Sequence, residues 1–443
     1  MRRAVGGAFV ILVAIGIAWW LWPKKKDQGS ARFFADQSYY FEAIRVLTDT
    51  GPAGGDTGEA SEAINHIKAG DADGWYAAWD AEGDRVSALA ATIHDRFSRG
   101  DALLRAHVYY RSAEFFLDPH DPRRPESWKK NVGAFYSGLD ALGVRYEPIK
   151  APYGPEHHLN AVYYPGPPGA EARPLLVVVN GYDGTMEELY TQVVVSAYRR
   201  GYSVLTYEGP GQGAALREQG LIMTPEWEKP TSAVLDTFLA AHAKPAHLVI
   251  MGVSLGGYLA PRAAAFEPRL DGVIAFDEYF DGYAVAARHV PGFAFTLHRH
   301  HLDGLLNLLA ERTGTPGSKW AQQNGMWTLG QTDRFSVLEA FKPYNLAPVA
   351  GQIRGDVLIL AGAGDHFVPL EQVEAFKQSL THARSVTAVV YDRASGGAEH
   401  CQVGAPSLWQ ATVFDWLAAK FGAGGDAGAS STAPGGRAPQ PPR

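Results

Sequence analysis

Two hydrophobic rhythms divide the chain. From about residue 34 to 142 the apolar positions recur at helical spacing. Trp128, Val132, Phe135, Leu139 and Leu142 follow at intervals of four, three, four and three, which lines one face of a helix. Val86, Leu89, Ile93 and Phe97 predict another such stripe on one earlier helix. "GPAGGDTGEA", from Gly51, reads as a loop by composition. Trp75, Trp79 and the pair Tyr109-Tyr110 show no second copy at a fixed period, so residues 34–142 predict a small helical domain and not a solenoid.

From about 144 the rhythm changes. Short β-rich runs alternate with amphipathic stretches: "HLNAVYYP" from His158, "PLLVVVN" from Pro174, "YSVLTYEG" from Tyr202, "HLVIMGVS" from His247, "GVIAFD" from Gly272, "DVLILAGAGD" from Asp356 and "VTAVVYD" from Val386. Several are continuously apolar, as strands buried on both faces must be. Thr185 with Glu188 predicts a capping box, and Thr224-Pro225 predicts a helix with proline in its first position. Parallel neighbours need crossover helices, so the alternation predicts an α/β, mostly parallel, doubly wound sheet over 144–421. Between Asp277 and Asp356 helical patterning runs with no clear strand, which predicts a helical lid insertion over about 278–350.

The two ends read differently. Ala4 to Trp22 is nineteen residues without a charge, preceded by Arg2-Arg3 and followed by Pro23 and three lysines. At 1.5 Å per residue this roughly matches a ~30 Å hydrocarbon core, with Trp19, Trp20 and Trp22 at the interface. No small-residue cleavage site follows, so the run predicts an uncleaved single-pass anchor and not a signal peptide. The flanking charges balance and leave the side of the membrane open. From Gly422 to Arg443 the Gly/Ala/Pro-rich tail predicts disorder. A net charge of -7 argues against nucleic acid as a partner. One cysteine, Cys401, excludes an internal disulfide or a four-cysteine metal site. The oligomeric state stays open, and a homo-oligomer is compatible with the sequence.

The chemistry gathers at strand ends. "GVSLG" puts Ser254 between a buried strand and a small-residue helix, the setting of a nucleophile elbow. A serine hydroxyl needs a base to take its proton and an acid to orient that base. Asp365 in "AGAGDHFVP" follows a strand, and His400 in "GGAEHCQ" follows the last one, giving the order Ser, Asp, His. Asp277, at the end of the strand after the serine, is the second choice of acid, and Glu278 beside it faces the same mouth. The N–H groups of Leu255 and Tyr182 are the expected oxyanion donors. Glu208 in "EGPGQG" reads as a polar substrate contact on a tight loop, which lacks the Lys-Ser/Thr ending of a phosphate loop. His366 reads as a loop residue and Cys401 as a packed thiol. His298, His300 and His301 lack carboxylates at matched helical spacing, so no metal is expected, and no cofactor is called for.

The stretches "GWYAAWDAEGDRVSALA", "RAHVYYRSAEFF", "NGYDGTMEELY", "EGPGQG", "MGVSLGGYLAPRAAA", "AGAGDHFVP" and "GGAEHC" together resemble the α/β-hydrolases with an N-terminal helical domain. That group includes the fermentation-respiration switch protein, 2,6-dihydroxypseudooxynicotine hydrolase and fungal polyketide chain-shortening hydrolases. The likeness runs from about Phe34 to Phe421. It implies an α/β-hydrolase fold, a triad on Ser254, Asp365 and His400, and helices covering the site. It implies esterase or acyl-hydrolase chemistry, or cleavage of a carbon–carbon bond beside a ketone, in which an extra glutamate assists some members; Glu278 corresponds in location only. The anchor departs from the soluble relatives. The expectation is a membrane-anchored serine hydrolase of a small carbonyl substrate, working through an acyl-enzyme. The alternatives are a peptidase of the same fold and a non-catalytic binding protein on a hydrolase scaffold.

Overall fold

The computed structural model describes residues 32–48, 55–288 and 290–422. The anchor expected over 4–22 and the tail beyond Gly422 lie outside them. Among the described residues no helix is long and apolar enough to cross a membrane.

Eight strands form one sheet: β1 (Glu147–Tyr153), β2 (His157–Tyr164), β3 (Leu175–Val179), β4 (Val204–Tyr207), β5 (Leu248–Val253), β6 (Gly272–Phe276), β7 (Asp356–Gly362) and β8 (Ser385–Tyr391). Their order is β1-β2-β4-β3-β5-β6-β7-β8. Strands β4 through β8 in that order pair in parallel, while β1–β2 and β2–β4 are antiparallel. The apolar runs explain the burial. Val177, Ile250, Val273 and Ile359 join one core, and Leu176, Val249, Ile274 and Leu358 join the core on the other face. Strand β1 carries no such run. Its Pro148 and Pro152 cannot donate to a ladder, so it survives only as an edge strand, and the hydrophobic pattern did not reveal it.

Among the described residues five helices precede the sheet: α1 (Gln37–Thr48), α2 (Thr57–Asn65), α3 (Ala72–Thr92), α4 (Arg96–Ala113) and α5 (Arg124–Leu142). Their core is aromatic. Tyr39 stacks on Phe116 at 4.3 Å and meets Trp75 edge-on at 5.0 Å, and the buried Trp75 indole N–H donates to Ser112 O. Three local readings need correction. The stripe Val86–Phe97 is not one helix: α3 stops at Thr92, Asp95 caps α4, and Leu89 and Phe97 are exposed. "GPAGGDTGEA" is not all loop, because Asp56 caps α2 from Thr57. The helix expected at Pro225 begins at Glu228 instead, after a turn in which Thr224 Oγ1 accepts from Glu226 N–H.

Between β6 and β7 the chain forms five α-helices and one 3-10 turn among the described residues and no strand of the sheet. One of them, Pro316–Thr328, and α1 both reach the carboxyl ends of the strands, where ligands bind in open α/β sheets.

Candidate active site

The turn after β5 carries the serine. Ser254 has φ +61°, a left-handed conformation that side chains other than glycine rarely adopt. The turn closes so tightly that a Cβ on Gly252 would collide with the Gly256 carbonyl, which accounts for the first glycine of the motif. The helix Gly256–Phe266 starts directly behind it and directs its amino-terminal dipole at the serine.

The strand ends then bring three residues together. His400 Nε2 lies 2.8 Å from Ser254 Oγ, and His400 Nδ1 lies 2.6 Å from Asp365 Oδ2. Asp365 Oδ1 accepts from the N–H groups of Phe367 and Val368, at 2.6 and 3.0 Å, so its own loop fixes the carboxylate. Burial opposes charge on Asp365, but the imidazole beside it holds the acid down at about 2. Burial likewise opposes charge on His400, yet the Asp365 carboxylate raises the imidazole well above its ordinary pKa. Phe367 and Phe41 of α1 pack their rings 5.1 and 6.1 Å from the His400 ring. The histidine is therefore walled by one residue of the sheet domain and one of the amino-terminal helices.

The expected oxyanion donors stand on either side of this centre. Neither the Leu255 nor the Tyr182 N–H has a protein acceptor among the described residues. Gly181 N–H, next in line, is used internally by Asn180 Oδ1 at 2.8 Å. A Cβ at Gly181 would come within 2.8 Å of Leu255 N and Ser254 Cβ, so the loop after β3 lies directly against the elbow. From the helix Pro316–Thr328, Ala321 O accepts the Tyr182 hydroxyl at 3.0 Å and Asn324 Nδ2 donates to Tyr182 O at 3.4 Å.

Asp277 joins the site without being the principal orienting acid. It is fully buried, and its Oδ2 is 3.5 Å from His400 Nδ1. It accepts from Cys401 N–H at 2.9 Å and Gln402 Nε2 at 3.0 Å, holding the turn in which Cys401 and Gln402 both have positive φ. Burial first, and the Asp365 charge second, push Asp277 up to about 8. Such a group stabilises the native state most below its ordinary pKa, and that contribution is lost as pH rises toward about 8. Asp277→Asn keeps one of the two acceptor oxygens, a loss that does not vary with pH, and removes the titration. Its melting temperature, relative to the parent, is expected to rise steadily between about pH 4 and about pH 8; parallel curves would contradict this. Glu278, also buried, has Oε2 without a partner, and burial followed by Asp277 pushes it up to about 10.

Glu208 is a correction. It does not face a substrate space: it is 1 % exposed, and its carboxylate accepts from Ala214 and Ala215 N–H and from Asn160 Nδ2. The Thr185–Glu188 capping box is half formed. Thr185 Oγ1 accepts from Glu188 N–H, but the Glu188 carboxylate turns to Arg45. His366 packs between Phe41 and Phe367, and His298 stacks on Phe335, while His300 and His301 are exposed. Asp277, His400 and Cys401 hold metal-type ligand atoms within 4.8 Å of one another. Both imidazole nitrogens are already engaged by Ser254 and Asp365, so the set fits a hydrogen-bonded triad and not a metal centre.

Sequence reasoning passed over Arg45, Arg111, Asp183 and Gln212. Asp183 Oδ2 accepts from Arg45 of α1 at 2.7 Å and Arg111 of α4 at 3.1 Å. Gln212 donates to the carbonyls of Asn180 and Gly181. Gln212, Asp183 and Arg111 had a local signal, their places in "EGPGQG", "NGYDGTMEELY" and "RAHVYYRSAEFF"; Arg45 had none.

A serine on a strand-to-helix turn, in a mostly parallel sheet, with an imidazole and a carboxylate at neighbouring strand ends, defines a hydrolase of the α/β class. The chain belongs to the alpha/beta hydrolase family, whose model matches residues 176–406. It is 31% identical to hydrolase acrC of Aspergillus aculeatus, over 88% of this chain and 98% of that one. It is 31% identical to 20-hydroxy-prefusarin hydrolase FUS2 of Gibberella moniliformis over the same shares. Among solved structures, 2,6-dihydroxy-pseudo-oxynicotine hydrolase superposes with a TM-score of 0.66 at 22% identity, covering 85% of this chain and 95% of that one. AbyA5 does so with a TM-score of 0.60 at 19% identity, covering 82% and 90%. These matches agree with the resemblance read from the motifs, and the last two concern the fold alone.

Proposed function

We propose that the protein is a serine hydrolase of a small carbonyl substrate. Ser254 Oγ attacks the carbonyl carbon while His400 Nε2 takes the hydroxyl proton. The Leu255 and Tyr182 N–H groups receive the oxyanion. Collapse expels the leaving group, which His400 protonates, and leaves an acyl-enzyme on Ser254. Water, deprotonated by the same imidazole, releases the acid. Asp365 holds His400 in the required tautomer throughout. The observation that carries this reading is the 2.8 Å approach of His400 Nε2 to Ser254 Oγ beside two unpaired N–H groups.

Two bonds suit this machinery: a carboxylester, and a carbon–carbon bond next to a ketone. The second is favoured by Glu278, a buried acid neutral at pH 7 with one unpartnered oxygen. A carbon leaving group is a poor one and needs a proton as the bond breaks. We place the enzyme at a membrane, through the uncharged run from Ala4 to Trp22.

The full chain is expected to react with a fluorophosphonate probe, with the label mapping to Ser254. It should then be offered short p-nitrophenyl esters and aryl β-diketones. Turnover of the diketones to acid plus ketone assigns carbon–carbon hydrolysis, and turnover of esters alone assigns an esterase. A folded protein that neither labels at Ser254 nor turns over either class contradicts the proposal.

A further inference from the structure

The "EGPGQG" loop has no part in the reaction as written, yet its glutamine reaches the oxyanion loop. Gln212 is 3 % exposed. Its Nε2 donates to Asn180 O at 2.7 Å and to Gly181 O at 2.8 Å, and its Oε1 accepts from Gly209 N–H at 3.1 Å. A backbone N–H can only donate and carbonyls can only accept, so these partners fix which end of the amide is which.

We propose that Gln212 is a positioning residue that aims the Tyr182 N–H at the oxyanion. In a planar trans peptide the C=O and the N–H point in opposite directions. Gly181 O and Tyr182 N–H belong to one peptide unit, so a hand on the carbonyl sets the direction of the N–H. The preceding unit is settled too, since Asn180 O goes to Gln212 and Gly181 N–H goes to Asn180 Oδ1. Among the described residues Tyr182 N–H, like those of Asp183 and Gly184, has no protein acceptor, and it belongs to the peptide of Gly181, which lies against the elbow. The rest of the motif supports the glutamine. Glu208 holds the N–H groups of Ala214 and Ala215 just behind it, and Gly209 N–H holds its carbonyl. Nothing else in "NGYDG" supplies regular structure, so side chains must hold this peptide in place.

The inference rests on Ser254 as nucleophile, and the test separates the two. Gln212→Met removes the donors, and Gln212→Glu, assayed at a pH where it is ionised, keeps the volume but presents only acceptors. Each is expected to lower kcat/KM for a p-nitrophenyl ester by about 10²–10³-fold, the usual cost of a lost oxyanion donor. Affinity for a trifluoromethyl ketone, which forms a tetrahedral oxyanion on Ser254, should fall by the same factor. KM and the acid-side midpoint of the pH profile should stay near those of the parent. A purely structural role would lower the melting temperature without this parallel loss. If Gln212→Met does not fold, Gln212→Glu carries the comparison. Folded variants that retain kcat/KM and ketone affinity to within about threefold overturn the inference. A parent protein that never labels at Ser254 overturns the nucleophile reading instead.

Discussion

Ser254→Ala is expected to lower kcat by about 10⁶-fold, and adding His400→Ala to the same chain is expected to cost nothing further. The two act as one unit: without the hydroxyl the imidazole has no proton to take, and without the imidazole the hydroxyl is a weak nucleophile. What survives should be the residual rate from binding and the Leu255 and Tyr182 N–H groups, on the order of 10³-fold over water. Asp365→Asn should behave differently. In a triad with a single acid this change costs about 10⁴-fold, because the histidine takes the wrong tautomer. Here Asp277 Oδ2 stands 3.5 Å from the same His400 Nδ1. The Asp365 charge is one cause of its raised pKa, so removing that charge makes Asp277 easier to ionise. The loss in Asp365→Asn is therefore expected to be well under 10⁴-fold, and the full loss to return when Asp277→Asn is added. Steady-state rates on a p-nitrophenyl ester, with folding checked by circular dichroism, decide this. Equal losses in the single and double carboxylate variants would remove Asp277 from any supporting role.

The residues of this site differ in how readily the sequence betrays them. Ser254 and Asp365 follow runs that are apolar because their parallel strands are buried, His400 follows the half-exposed edge strand β8 whose β-branched run is still legible, and the carboxyl ends of such strands are where polar side chains gather. Their long-range meeting was therefore encoded by the strand order. Strand β1 was invisible because two prolines and two charges break its pattern, and an edge strand tolerates that. Glu208 was misjudged because a carboxylate at a strand end looks the same in sequence whether it caps backbone N–H groups or faces a substrate. The pairings of Arg45 and Arg111 were illegible for a related reason. An arginine in a helix usually lies in solvent, and only the docking of α1 and α4 on the loop after β3 gives these two their partners. Sequence distances of 143 and 72 residues separate Arg45 from Glu188 and Arg111 from Asp183. No local pattern reports such a pairing.

Arg45→Met is expected to destabilise the fold by about 3–5 kcal/mol, the cost of leaving a buried charge without its partner. Arg45 grips Glu188 with a two-pronged contact, Nε to Oε1 at 2.7 Å and Nη2 to Oε2 at 2.8 Å, while its Nη1 reaches Asp183 at 2.7 Å. Glu188 is 3 % exposed, so water cannot replace the guanidinium. Arg111 adds contacts to Asp183, Glu188 and Glu42, and burial raises the Glu42 pKa against the pull of the two guanidiniums. Glu188→Gln added to Arg45→Met should recover part of the loss, because it neutralises a buried carboxylate left, among the described residues, with only the 3.4 Å ionic contact from Arg111. A denaturant series on the single and double variants measures this coupling. Additive losses would show that the two residues do not share an interaction. No loss at all would show that apolar contacts alone hold α1 on the sheet. A positive coupling ties the amino-terminal helices to the loop that carries Tyr182, since Glu188 also accepts from Asn180 Nδ2 at 3.4 Å and Asp183 follows Tyr182 directly. On that result the amino-terminal helices also brace the loop after β3 that lies against Ser254.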